Sequence, residues 1–181
     1  MQREEAKQLM EKTIGNKNLQ KHMLACEACM RALAAQFGED VETWGLAGLL
    51  HDLDYDQTVK DFGNHGRITA KMLEGTDVPA DVIHAIQAHP GHVAAESKMD
   101  FALYAVDPVT GLIVAATLLH PTKKIANVDA GFIMKRYKEK RFAAGANREQ
   151  IATCSELGLS LEEFTTICIA AMQAIAPDLG L

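Results

Sequence analysis

The chain has 181 residues, enough for one domain with a sizeable core and short for two. A net charge of -6 argues against bulk nucleic-acid binding. The four cysteines, Cys26, Cys29, Cys154 and Cys168, lack the spacing of a disulfide scaffold, and the charged start Met1-Gln-Arg-Glu-Glu is unlike a secretory leader, so a reduced, cytoplasmic protein is expected.

Helical periodicity dominates, and no alternating run bounded by turns reads as a strand. A first amphipathic helix is expected over about Arg3 to Ile14, stopping at Gly15-Asn16. Asn18 is placed to cap the next, which runs to about Phe37 and stops at Gly38. Its apolar stripe is Leu19, His22, Cys26, Cys29 or Met30, Leu33 and Phe37, which turns His22 inward. Asp40 caps a third helix, through Trp44 to His51, and a loop from Leu53 to Gly63 follows. Asn64 is placed to cap a short helix from His65 to Leu73, and Pro79 to open one that ends at His89-Pro90. Ser97 and Asp100 form a capping-box start for a long apolar helix, kinked by Pro108 and ended by Pro121. Asp129 caps a basic helix to about Phe142, Asn147 another to Leu157, and Ser160 opens the last, ended by Pro177. The expected architecture is all-α and single-domain, with a core over about residues 18–120 and a helical extension over about 125–181.

Phe101 to Leu119 is apolar enough to mimic a membrane span, but Asp107, Pro108, Thr110 and Gly111 sit in its middle. A charge at mid-bilayer costs about 2.5–3.5 kcal/mol on insertion scales, so a buried core helix is expected and no membrane partner.

Two stretches carry the chemistry. In Gly45-Leu-Ala-Gly-Leu-Leu-His51-Asp52-Leu-Asp54-Tyr-Asp56, an almost wholly apolar run delivers an imidazole and a carboxylate into or beside the core. Buried ionisable groups need a partner, and a divalent cation satisfies both residue types together. The bland alternative leaves Asp52, Asp54 and Asp56 solvated past the helix end. The second stretch centres on Asp107, among Phe101, Leu103, Val106, Val109, Leu112 and Ile113, where a carboxylate must be neutralised, paired or metal-bound.

The order His22, His51-Asp52, Asp107 resembles the signature of the HD-domain (HDIG-type) metal-dependent phosphohydrolase superfamily. Gly-Leu-Leu-His-Asp-Leu-Asp-Tyr is similar to its HD helix, and Ala105-Val106-Asp107 to the helix bearing its last aspartate. The resemblance implies that His22, His51, Asp52 and Asp107 ligate one divalent metal. Some members add two histidines for a second metal, bridged by the aspartate of the HD pair; His65 is similar to the first and His89 to the second. His84 and His92 compete with His89, but His84 and His89 lie about 140° apart on a helix and do not share a cavity.

The resemblance further implies hydrolysis of a nucleotide or other small phosphoester by metal-activated water that Asp52 holds. Mixed imidazole and carboxylate ligation favours iron or manganese, with cobalt or nickel as alternatives. Where many members carry Lys or Glu, three residues past the aspartate of the HD pair, this chain has Tyr55; Asp56 is the candidate for orienting the attacking water. The Gly-Tyr-Pro motif of the branch that cleaves cyclic dinucleotides is absent. Lys123 and Lys124 open a locally basic segment and are the candidates for phosphate contact. Cys26-Glu-Ala-Cys29 lacks the second pair a zinc ribbon needs and reads as core packing. Two other functions fit the same residues: a non-catalytic module stapled by metal that binds an anionic partner, and a di-iron oxygenase. Oligomeric state has no signature in the sequence.

Overall fold

The computed structural model describes all of residues 1–181, as helices joined by short turns and without a strand. In chain order the helices are α1 (Arg3–Thr13), α2 (Lys17–Phe37), α3 (Val41–Leu50), α4 (Tyr55–Thr58), α5 (Arg67–Leu73), α6 (Ala80–Ala88), α7 (Lys98–Leu119), α8 (Ala130–Lys138), α9 (Arg148–Ala152), α10 (Leu161–Ala174) and α11 (Ala176–Leu179). One apolar core runs through them, from Ala6 to Leu179.

Local chemistry sets most of the boundaries. Asn16, rather than Asn18, caps α2: its Oδ1 accepts from the backbone N–H of Asn18 at 2.9 Å and of Leu19 at 3.4 Å. Gly38 ends α2 in the left-handed conformation, with φ 69°. The Ser97–Asp100 box opens α7 reciprocally, with N–H to side-chain distances of 3.1 and 2.9 Å. The expected loop after Leu53 instead holds the short helix α4 and a 3-10 turn over Phe62–Asn64. Asn64 does not cap α5, because His65 is extended (φ -60°, ψ 136°) and Gly66 occupies the cap at φ 75°. The basic helix stops at Lys138, short of Phe142.

α7 is the central element, packed by α2, α6, α8, α9 and α10. It is long and apolar enough to cross a membrane by length and composition alone. Here that apolarity faces protein: Ala102, Leu103, Ala105, Val106, Val109, Leu112, Ile113 and Ala116 are wholly buried. Pro108 lies inside the helix without ending it.

Close approach of α2 and α3 then sets the geometry of the centre. A Cβ on Gly48 would lie 2.7 Å from the Cys26 carbonyl and from the Glu27 backbone nitrogen, so the two backbones meet where only glycine fits. That contact holds His51, at the C-terminal cap of α3, against His22 on α2; their rings lie 5.2 Å apart.

Candidate metal centre

Four histidines from four places in the chain surround the Asp52 carboxylate. Oδ2 of Asp52 lies 3.7 Å from His22 Nε2 and 3.5 Å from His51 Nε2. Oδ1 lies 3.2 Å from His65 Nε2 and 3.5 Å from His89 Nε2. Asp107 closes the first side, its Oδ1 3.1 Å from His22 Nε2 and 3.9 Å from His51 Nε2. On the second side the two Nε2 atoms of His65 and His89 stand 3.1 Å apart.

The other nitrogen of every ring is spoken for. His51 Nδ1–H donates to the Gly48 carbonyl at 2.9 Å, and His89 Nδ1–H to the Ile86 carbonyl at 2.6 Å. Both histidines cap a helix C-terminus and return a proton to a carbonyl three residues back, one of those the helix end leaves unpaired. Each end also brings a partial negative charge that favours a nearby cation. His65 Nδ1–H donates to Asp54 Oδ1 at 2.7 Å. His22 Nδ1–H donates to Thr110 Oγ1 at 3.0 Å, and that hydroxyl donates to the Asp107 carbonyl at 2.9 Å. With Nδ1 engaged elsewhere in every ring, all four Nε2 atoms face inward.

This arrangement fits a divalent metal. Metal–nitrogen bonds of about 2.0–2.1 Å separate neighbouring ligand atoms by roughly 3.0 Å at right angles and 3.4 Å in a tetrahedron. The donor separations above lie at or slightly beyond that range. His51 Nε2 is wholly buried and has no hydrogen-bond partner in the chain, a deficit that costs about 1–3 kcal/mol unless something takes the lone pair. His51, Asp52 and His89 form one group of close ligand atoms, and His22, Cys26 and His51 another. The Cys26 thiol sits behind His22, 3.8 Å from both ring nitrogens, and Cys26 and Cys29 are buried in the core.

Electrostatics follow the same layout. Burial pushes His51 down to about 4, so its ring is neutral at ordinary pH. Burial opposes a charge on His65 as well, but hydrogen bonds to Asp52 and Asp54 raise it to about 9. Burial also works against ionisation of Asp52, yet His51, His65, His89 and His22 hold it well below the usual carboxylate range.

Of the residues singled out in the sequence, His22, His51, Asp52, His65, His89 and Asp107 converge. His84 turns away to Asp100, at 3.0 Å, and His92 donates to the Phe62 carbonyl at 2.7 Å, so neither competes with His89. Asp107 is less buried than its apolar neighbours imply: its side chain is 31% exposed, because it faces a cavity mouth rather than the core. Asp56 is exposed on α4 and lines neither cavity at the centre. Lys123 and Lys124 are exposed and equally absent from those cavities. They lie beyond Leu119, twelve residues past Asp107 on α7, or about 18 Å along the axis. The basic segment is partly consumed internally, since Arg148 donates to the carbonyls of Tyr137, Phe142, Ala143 and Ala146.

Sequence reasoning missed the supports. Asp54 is fully buried between Thr58, His65 and Thr69, whose backbone N–H reaches its Oδ2 at 2.8 Å. Thr110, three residues past Asp107 on the same helical face, was findable by spacing. The cavity walls given by Gly145 and Gln150 come from the C-terminal region and had no local signal.

A family model described as "HD domain" matches residues 19–116. Among curated proteins, Ribonuclease Y of Sulfurovum sp. is 30% identical over 131 residues, covering 71% of this chain and 26% of its own length. Ribonuclease Y of Latilactobacillus sakei is 28% identical over 144 residues, covering 76% and 27%. Ribonuclease Y of Nitratidesulfovibrio vulgaris is 30% identical over 104 residues, covering 58% and 20%. The chain thus spans about a quarter of the length of the curated relatives it matches. No solved structure matches it.

Proposed function

The chain belongs to the HD-domain family, and on that premise we propose that it is a metal-dependent phosphohydrolase that cleaves a nucleotide or other small phosphoester with water. His22, His51, Asp52 and Asp107 would hold one divalent ion; His65 and His89, with the other oxygen of Asp52, would hold a second. Such ions supply an acidified water and neutralise phosphoryl charge. Iron or manganese suits the mixed imidazole and carboxylate set, with cobalt or nickel as substitutes.

The observation that carries this reading is the Asp52 carboxylate faced by four imidazole Nε2 atoms whose Nδ1 protons are all engaged elsewhere. A buried aspartate kept for structure needs one or two hydrogen-bond donors; this one has four imidazole Nε2 atoms divided between its two oxygens. The chain's residues hold that array rigid before substrate arrives: Thr110 and Asp54 fix two of the rings, and two helix ends fix the others. The relatives named Ribonuclease Y support a phosphodiester or nucleotide substrate class over other esters.

Elemental analysis of protein purified without added metal, followed by phosphate release from a panel of nucleotides and short oligoribonucleotides, tests the proposal. Two equivalents of iron or manganese with turnover of at least one phosphoester are expected. Full activity in a His51→Ala, Asp52→Ala variant would reject it.

A further inference from the structure

Two aromatic rings stand exposed at the rim of the centre, Phe62 at 56% and Tyr55 at 39%. Both line the cavity of about 250 Å³ that contains Asp52, His65, His89 and Asp107. The Phe62 ring lies 5.3 Å from that of His65 and 5.4 Å from that of His92; the Tyr55 ring is 5.6 Å from that of His65. The backbone beneath Phe62 is pinned. Its carbonyl accepts from the His65 N–H at 3.0 Å and from His92 Nε2 at 2.7 Å, while Asn64 Nδ2 donates to Asp61 Oδ2 at 2.7 Å.

An exposed apolar ring is ordinary by itself, but one held in place at the mouth of a reactive cavity offers its face for stacking. No Lys or Arg lines this cavity, so charge does not do the recognising there beyond the ions. The same cavity is lined by Gly145, which adds no side chain, and by Gln150, which offers both a donor and an acceptor. A planar ring with polar edges suits both the aromatic and the amide lining.

We infer that Tyr55 and Phe62 form a stacking platform for a nucleobase whose phosphate lies at the Asp52 centre, with Gln150 reading the base edge. The substrate class is then a nucleoside phosphate, free or within a short strand. This rests on the phosphohydrolase reading above. Every base has a π-face, so the platform selects for a base without choosing among them, and the ring is already fixed, so little freedom is lost on binding.

The test uses metal-loaded protein carrying Phe62→Trp. The native tryptophan, Trp44, is 4% exposed, so added quenching reports position 62. Adenosine monophosphate and a short oligoribonucleotide are each titrated against ribose 5-phosphate. The base-bearing ligands should quench and ribose 5-phosphate should not; the tighter of the two quenchers names the source of the base. In parallel, Phe62→Ala and Tyr55→Ala should each lower the ratio of kcat/KM for adenosine monophosphate over ribose 5-phosphate by roughly ten-fold, through KM. Equal losses on both esters, which a mere support for His65 would give, or equal quenching by all ligands, overturn the platform. Absence of any phosphoester turnover by the unaltered protein would count against the hydrolase alone, and the quenching titration would still decide the platform.

Discussion

Helix α2 carries two buried polar clusters on different faces, and they solve the problem of buried charge in opposite ways. Near its middle Glu27, 3% exposed, accepts from Arg3 at 2.5 and 2.9 Å and from Arg31 at 2.9 Å. Arg31 continues to Glu42 at 2.7 and 2.8 Å. Two guanidinium groups and two carboxylates cancel, and the network is closed within the chain. Five residues earlier, His22 enters a cluster with Asp52, Asp54 and Asp107 and three more imidazoles, with no Lys or Arg in its ion pairs. Its ring nitrogens and carboxylate oxygens face one another across 3.1–3.9 Å, and His51 Nε2 has no partner. The first cluster is complete as built; the second presents a set of donor atoms that could hold a metal ion.

The contrast breaks most sharply at Asp52. Replacement by alanine should abolish phosphate release and reduce bound metal from two equivalents to at most one, by elemental analysis, since both sides of the centre meet on this carboxylate. Melting temperature in the presence of chelator should change far less.

Glu27→Ala should show the reverse. It strands Arg3 and leaves Arg31 with Glu42 alone, both arginines being partly exposed, and is expected to cost about 2–3 kcal/mol in urea unfolding, below the 3–5 kcal/mol of a fully buried pair. Metal stoichiometry should stay unchanged. Loss of metal here would merge the two clusters into one and defeat the comparison.

Thr110→Val keeps the shape of the side chain but removes the hydroxyl that accepts from His22. Metal affinity at the His22 side should fall about 10–100-fold, measured by competition with a chelating dye, while the His65 side is spared.

The smallest effect is in pH. Because the metal-free fold raises His65 to about 9, chelated protein is stabilised by this group below its ordinary value near 6.5 and loses that stabilisation as pH climbs through 9. Metal must displace the same proton, so affinity should rise over the same window. Opposite slopes of chelated-protein melting temperature and metal affinity between about pH 6.5 and 9 check both halves.

Much of this was legible along the chain because it depended on local pattern. Asp40, Ser97, Asp129, Asn147 and Ser160 read as helix starts and do cap helices, since a cap is a contact between residues three apart. His22 declared itself by lying on an apolar stripe, and the His51-Asp52 pair by ending an apolar run. Asn16 and Asn18 both fit a cap pattern, and only the chain direction entering α2 separates them. Asp54 and Asp56 both follow the HD pair closely; the sequence pattern favours Asp56, whereas the fold buries Asp54 against His65 and leaves Asp56 in water.

The sequence by itself determined the helices, the buried imidazoles and carboxylates, and so the chemistry they can support, because residue type and three-to-four spacing act at short range. Tertiary structure alone decided that Asp52 stands between two pairs of histidines, that His89 rather than His84 or His92 completes the second pair, and that Lys123 and Lys124 end at the far tip of α7. Those outcomes depend on where distant helices cross, above all at the glycine contact between α2 and α3, and no local pattern encodes a crossing.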